Sequence, residues 1–108
     1  MASHLSVTHI ENSKSLRDIV NSREFVVIDF TATWCGPCRN IAPIYDKLSQ
    51  EHTRWTFTKV DVDLLSDVAE EYQVTGMPTF VFVKKGQIVG RVVGADVDGL
   101  VRNLSSFC

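Results

Sequence analysis

The sequence predicts an α/β protein, a single domain of residues 1–108 in which four helices flank a central mixed five-stranded sheet in three layers, α/β/α. Strand-like and helix-like segments alternate along the chain, which favours parallel strands joined by right-handed crossovers. The segment 25–30 is apolar except for Asp29, which is typical of a central strand covered on both faces. Two late strand-like segments separated by residues 84–87 indicate an antiparallel hairpin.

The first half of the chain supplies an edge strand, a short helix, the central strand and a longer helix. Residues 6–10 form the edge strand, and Ser13 is the predicted N-cap of the first helix, whose apolar face is Leu16, Ile19 and Val20. The longer helix runs to about Glu51, with an apolar stripe of Ile41, Ile44, Tyr45 and Leu48. Because this stripe keeps its phase across Pro43, we expect the helix to continue through the proline with a kink rather than begin there.

The second half continues the alternation. Residues 55–62 are rich in aromatic, β-branched and Thr residues and predict a strand, and Gly76-Met77-Pro78 breaks the chain before the hairpin. The remaining elements are a helix with the stripe Leu65, Val68, Ala69 and Tyr72, the strands 79–83 and 88–93, and a helix with the stripe Val97, Leu100, Val101 and Leu104. The predicted order is therefore β-α-β-α-β-α-β-β-α.

Composition excludes several classes of function. A net charge of -2 argues against nucleic acid as a partner, because phosphate binding needs clustered excess Lys and Arg. No stretch approaches the roughly 20 apolar residues of a membrane helix, so we expect no membrane contact. The N-terminus shows no apolar stretch behind a basic start, and three cysteines are few for a disulfide scaffold. We therefore expect a cytoplasmic protein.

The segment Trp34-Cys35-Gly36-Pro37-Cys38 lies where the central strand gives way to the longer helix. A helix N-terminus favours a thiolate, which makes Cys35 the expected nucleophile and Cys38, one turn further in, a more buried resolving thiol. Neither Gly36 nor Pro37 carries a charge, so the thiolate is less stabilised than it would be with a cation between the cysteines. A less stabilised reduced form is a stronger reductant.

Two other interpretations of the cysteine pair stay open from the residues alone. Half of a zinc site would need a second pair of ligands, but only Cys108 remains, and the three histidines show no ligand-like spacing with it. A purely structural disulfide would close a very small loop and stabilise the fold little. Redox chemistry without a metal is the favoured interpretation.

The sequence resembles thioredoxin of the eukaryotic cytosolic type over nearly its whole length. The shared residues are Trp34-Cys35-Gly36-Pro37-Cys38, Asp29-Phe30, Ala42-Pro43, Lys59-Val60-Asp61-Val62-Asp63, Met77-Pro78-Thr79 and Val93-Gly94-Ala95. The resemblance implies the thioredoxin fold and a thiol–disulfide oxidoreductase that reduces protein disulfides through a reversible Cys35–Cys38 disulfide. It also implies re-reduction by an NADPH-dependent thioredoxin reductase, with no cofactor bound to this chain.

The resemblance assigns roles to further residues. Asp29 would lie beneath the cysteines and exchange the proton of Cys38, and Lys59 would modulate that acid. From sequence alone, Asp29 is equally well a strand-end acid in contact with water, and Lys59 a solvated lysine. Pro78 is expected in the cis form, although most X–Pro bonds are trans. The expected substrate rim consists of Trp34, Gly76, Met77, Pro78 and Gly94, with a plain turn glycine as the alternative for Gly94.

The expected partners are thioredoxin reductase and disulfide-containing proteins of the peroxiredoxin type. We expect a monomer, with a weak or Cys108-linked homodimer under oxidation as the alternative. The rival functions are a binding module with incidental cysteines and a disulfide oxidase or isomerase.

Thr31 replaces the Trp usual in bacterial members. Leu65, Tyr72 and Gly76 replace extra cysteines of animal members, which puts a second regulatory disulfide in doubt.

Overall fold

Five strands and four helices follow one another in the predicted order within residues 6–106, the part of the chain that the computed structural model describes. They are β1 (Val7–His9), α1 (Ser13–Ser22), β2 (Phe25–Thr31), α2 (Gly36–Glu51), β3 (Thr56–Asp61), α3 (Ser66–Glu71), β4 (Thr79–Lys84), β5 (Gln87–Val93) and α4 (Val97–Ser106). Cys108, and with it any interpretation of its thiol, lies outside these residues.

The strands form one mixed sheet in the order β1-β3-β2-β4-β5. β1 and β2 pair with β3 in parallel, β4 runs antiparallel to β2, and β5 runs antiparallel to β4. The predicted mixed five-stranded sheet is therefore confirmed. Because β2 and β3 end at the same edge where β4 begins, the chain that follows β2 meets the chain that precedes β4 there.

Both faces of the central strand are buried, as its apolar sequence predicted. Val27 belongs to a core cluster that α2 and α4 cover, and that cluster includes Tyr45, Leu48 and Leu100. Its neighbour Ile28 belongs to a second cluster on the opposite face of the sheet, which α1 and α3 cover. The three-layer arrangement of helices around the sheet is confirmed. Asp29 points to the same face as Val27, because alternate strand residues share a face, and therefore lies on the α2 side of the sheet.

Several predicted boundaries shift by a residue or two. The prediction of Ser13 as the first N-cap is wrong: Asn12 is the cap, with an extended backbone and a side chain that accepts a hydrogen bond from Ser15 N at 2.9 Å. The strands predicted at 6–10 and 55–62 are shorter, at Val7–His9 and Thr56–Asp61. Neighbouring polar residues can cap equally well, so composition alone does not decide between them.

The hairpin connection is tighter than the predicted four residues. Only Lys85 and Gly86 separate β4 from β5, and both have positive φ, 52° and 79°. Two-residue turns of this kind match the twist of the flanking strands. The register shifts between Phe82 and Val83, which marks a β-bulge in the pair.

Helix α2 continues through Pro43, so the alternative in which the helix begins at that proline is wrong. It is anchored to the sheet by Tyr45, whose buried hydroxyl donates to the Thr58 carbonyl at 2.7 Å and lies 3.3 Å from the Val27 carbonyl. Burial, and secondarily the charge of Asp29, raise the pKa of Tyr45 well above its usual value. The hydroxyl therefore stays protonated and remains a donor.

We predict that Tyr45→Phe lowers the free energy of unfolding by about 1 kcal/mol, because the buried carbonyls of β2 and β3 lose a hydrogen-bond donor. Urea unfolding of the oxidised protein measures the change. Tyr72→Phe is the matched control, because that half-buried hydroxyl makes no hydrogen bond within residues 6–106. An equal loss in both variants would contradict the anchoring role.

Candidate active site

The cysteine pair lies at the N-terminus of α2, where β2 delivers the chain to the edge of the sheet. Cys35 is the N-cap residue, and Cys35 and Cys38 form a disulfide with their Cα atoms 5.3 Å apart. The Cys35 sulfur accepts a hydrogen bond from Cys38 N at 3.2 Å. Pro37 occupies the first turn, where its missing N–H leaves no bond unmade.

This placement stabilises a thiolate at Cys35 in two ways. The Cys38 N–H points at the sulfur, and the first turn of a helix carries about half a positive charge. Cys35 and Cys38 are 5% and 3% exposed, so the expected difference in burial is small in the disulfide form. Met77 and Val62 pack against the pair and keep it in an apolar setting.

Asp29 is buried on the α2 side of the sheet and is only 2% exposed. A strand-end acid in contact with water is therefore excluded. Its Oδ1 atom has no hydrogen-bond partner among the described residues. Burial raises the pKa of Asp29 from 3.8 to about 7, while the nearby Lys59 lowers it and Asp46 raises it. Asp29 therefore titrates near neutral pH, as a group that exchanges protons there must.

Lys59 is the residue of β3 that pairs in register with Asp29. It is half-buried rather than fully solvated, and it lines a cleft of about 250 Å³ together with Cys38, Arg39 and Asp61. Lys59 thus lies close enough to Asp29 to lower the pKa of that carboxyl.

The loop before β4 completes the site. The Met77–Pro78 peptide bond is cis, as the resemblance implied, and the Pro78 carbonyl accepts a hydrogen bond from Gly94 N at 2.7 Å. The Thr79 hydroxyl donates to the Gly76 carbonyl at 2.6 Å. These bonds hold Gly76, Pro78 and Gly94 together around Met77, which packs against the cysteines. Gly94 has φ of 95°, a conformation in which a side chain is strained.

Trp34 is 65% exposed, which is unusual for so large an apolar side chain. Its Nε1 donates to Asp63 Oδ2 at 2.8 Å, and the Asp63 backbone N–H donates to Asp61 Oδ1 at 2.9 Å. The acidic loop after β3 thus holds the indole beside the active site. Sequence reasoning assigned no role to Asp63 or Asp46, although the two acids of the Val-Asp-Val-Asp stretch at a strand end were a visible signal for the first.

The arrangement of the cysteine pair, Asp29 and the loop before β4 defines a class of protein. A disulfide at a helix N-cap, a buried acid with a pKa near neutrality and a cis-proline loop whose Met77 packs against the pair are suited to thiol–disulfide exchange. Residues 6–106 contain no cluster of three or more His, Cys, Asp or Glu side chains that could hold a metal ion. They also contain no helix both long and apolar enough to cross a membrane.

Comparison with known proteins agrees with that class. The thioredoxin family model matches residues 6–106. An H-type thioredoxin of Picea mariana is 48% identical over 92 residues, which are 85% of this chain and 74% of that protein. The oxidised mitochondrial thioredoxin 3 of Saccharomyces cerevisiae superposes with a TM-score of 0.92 at 40% identity, covering 98% of this chain and 100% of that one.

A third comparison involves a structure that describes thiol resolution in a yeast mitochondrial 1-Cys peroxiredoxin via the glutathione and thioredoxin systems. One chain of that structure superposes with a TM-score of 0.92 at 39% identity, covering 98% of this chain and 100% of that one. The protein therefore belongs to the thioredoxin family and is a thiol–disulfide oxidoreductase with Cys35 and Cys38 as its redox-active pair.

We predict that Asp29→Asn stabilises the oxidised protein at pH 8 but not at pH 4. Burial raises the pKa of Asp29 to about 7, so between about pH 4 and 7 the folded state holds a proton that the unfolded state has released. Wild-type stability therefore falls as the pH rises through this window, by up to about 4 kcal/mol. Urea unfolding at pH 4, 6 and 8 measures the difference. A difference independent of pH would contradict the buried-acid assignment.

We predict opposite shifts of the Asp29 pKa from two substitutions around it. Lys59→Gln removes a cation that lowers the pKa and should raise it, whereas Asp46→Asn removes an anion that raises it and should lower it. Carboxyl ¹³C NMR across a pH titration reports both shifts. Lys47→Gln, at an exposed position of α2, is the control and should leave the titration unchanged. Shifts of the same sign in the two test variants would contradict the assignment.

Proposed function

We propose that this protein reduces the disulfides of other proteins, with Cys35 as nucleophile, Cys38 as resolving thiol and the Cys35–Cys38 disulfide as the redox group that reacts with the substrate. The observation that carries the proposal is the hydrogen bond from Cys38 N–H to the Cys35 sulfur at the N-terminus of α2. A thiolate in that position is stabilised without any charged residue between the cysteines. The uncharged Gly36-Pro37 pair limits that stabilisation and so favours a reductant.

The first step forms a mixed disulfide. The Cys35 thiolate attacks one sulfur of the substrate disulfide, the substrate S–S bond breaks, and the other substrate sulfur leaves as a thiolate. The exposed Trp34 and the Gly76–Pro78 loop flank the reacting sulfur, with Gly94 beside Pro78. An extended substrate segment can pair there with the Met77 backbone by strand addition.

The second step releases the reduced substrate. Asp29, as the carboxylate, takes the proton of Cys38, and the resulting thiolate attacks the Cys35 sulfur. The mixed disulfide breaks, the Cys35–Cys38 bond forms, and the second substrate sulfur leaves as a thiolate. Two electrons have then passed to the substrate. The pKa of Asp29, about 7, suits a group that both accepts and returns a proton near neutral pH, and Lys59 adjusts that value.

The oxidised Cys35–Cys38 pair must then receive two electrons to return to the dithiol. We assign this to an NADPH-dependent thioredoxin reductase, the reductant that membership of the family implies. Peroxiredoxin-type proteins are the first substrate class to test, because a structure concerned with thiol resolution in a yeast peroxiredoxin contains a chain of this fold. No nicotinamide or flavin is assigned to this chain.

We place the protein in the cytoplasm as a monomer. This placement follows from the resemblance to cytosolic thioredoxins, and the mitochondrial thioredoxin 3 of Saccharomyces cerevisiae, which has the same fold, gives the alternative compartment. Fractionation of cells decides between the two compartments.

An equilibrium redox titration tests the proposal, with alkylation and mass spectrometry counting free thiols at each potential. We expect a single two-electron transition of Cys35 and Cys38 near the value typical of thioredoxins, about -270 mV, with Cys108 titrating separately. A transition at the potential of disulfide oxidases would overturn the proposed direction. A Cys35→Ser, Cys38→Ser double variant that kept full biological activity would instead favour a binding module.

A further inference from the structure

We propose that Arg39 selects substrates: its guanidinium binds a carboxylate that flanks the disulfide of the substrate protein. The inference rests on the proposed reduction of protein disulfides and adds a substrate class to it. Arg39 follows the resolving cysteine directly in α2, and neither step of the proposed exchange uses it.

The Arg39 side chain folds back toward the active-site turn. Its Nη1 donates to the Thr33 carbonyl at 2.8 Å. A methyl group added at Gly36 would lie 3.9 Å from Nη2, so the guanidinium also lies beside Gly36. Thr33 and Gly36 bracket Trp34 and the nucleophile Cys35 in the chain. The positive charge is therefore held at the edge of the surface that a bound substrate must cover.

The guanidinium has capacity for a further anion. The ion pairs within residues 6–106 are Lys14–Asp18 and Lys85–Glu24, and neither involves Arg39. Its side chain is exposed, and of its five N–H donors one is used by Thr33. A guanidinium binds a carboxylate through two parallel hydrogen bonds. Because Thr33 already restrains the side chain, less conformational entropy is lost when the carboxylate binds.

The acidic residues at the end of β3 have partners of their own. Asp61 lines the same cleft as Arg39, Cys38 and Lys59. Asp63 holds the Trp34 indole, and Asp61 accepts from the Asp63 backbone, so both carboxylates lie at the edge formed by the end of β3. Neither carboxylate forms an ion pair with Arg39 within residues 6–106, so the guanidinium is not directly neutralised by them. A carboxylate of the substrate that reaches the start of α2 can therefore bind the remaining N–H donors of Arg39.

Single-turnover reduction of disulfide peptides tests the proposal. Each peptide of the series carries Glu, Gln or Lys at a single position, which is one of the two residues before or the two residues after the reacting cysteine. Alkylation followed by mass spectrometry gives the second-order rate constant for each peptide. For at least one position, we expect wild type to reduce the Glu peptide about threefold faster than the Gln peptide, the effect typical of an exposed ion pair. That preference should fade in 0.5 M NaCl.

The variants separate recognition from structure. In Arg39→Gln, the preference for the Glu peptide should disappear while the rate with the Gln peptide is kept. In Arg39→Glu, the preference should reverse, so that the Lys peptide reacts fastest. In Arg39→Lys, part of the preference for the Glu peptide should remain. Lys47→Gln changes the net charge equally at an exposed position of the same helix and should keep the preference.

Three outcomes overturn the proposal. An unchanged Glu preference in Arg39→Gln assigns the recognition elsewhere. An equal slowing of every peptide in Arg39→Gln means that the residue only holds the Thr33 loop in place. If wild type reduces all peptides but without regard to their charge, the inference fails while the proposed reductase function stands. Failure of wild type to reduce any peptide would instead remove the proposed function itself.

Discussion

The hydrogen bond between the Cys38 amide and the Cys35 sulfur is the interaction on which the rest of the site depends. It exists because β2 ends at the edge of the sheet and α2 begins one turn later, so that a sulfur takes the place an oxygen usually occupies at an N-cap. The cap has a double use. It satisfies a free amide of the first helical turn, and it presents a donor to the atom that must carry charge when the disulfide is opened.

Keeping α2 in that position requires the core beneath it. The hydroxyl of Tyr45 reaches the carbonyls of β2 and β3, and its ring packs between Phe57 and Phe80 at centroid distances of 5.0 and 5.5 Å. The helix that carries the cysteines is thus bonded to the sheet by polar and aromatic contacts together. Close packing of this kind restricts the movement of α2 against the sheet.

Burial in the same core destabilises the ionised form of Asp29 and thereby raises its pKa. A carboxyl buried with an oxygen that lacks a hydrogen bond destabilises the folded state once it is ionised. That penalty is what raises its pKa to about 7, so the carboxyl titrates near neutral pH, as the proposed proton exchange with Cys38 requires. Lys59 and Asp46 act on this pKa in opposite senses, so its value reflects burial together with two neighbouring charges, one on β3 and one on α2.

Local spacing was sufficient to predict the order of elements, the redox pair and its helix, because each depends on residues close together in the chain. The apolar residues at 25–30 indicated a strand buried on both faces, and two cysteines one turn apart at a helix start indicated exchange chemistry. Residue type did not identify the cap of α1, because adjacent Asn12 and Ser13 can both cap a helix. Nor did it locate the bulge in the hairpin, where Phe82 and Val83 shift register.

The sequence by itself thus determined the architecture and the identity of the reacting atoms. Tertiary structure alone decided that Asp29 is buried rather than solvated, that Asp63 holds the Trp34 indole and that Arg39 folds back onto the Thr33 carbonyl. Burial and the Trp34–Asp63 bond depend on segments far apart in the chain, and the Arg39 bond depends on how the turn between β2 and α2 is folded. The indole of Trp34 and the carboxylate of Asp63 come within hydrogen-bond distance only because the start of α2 and the loop after β3 meet at one edge of the sheet.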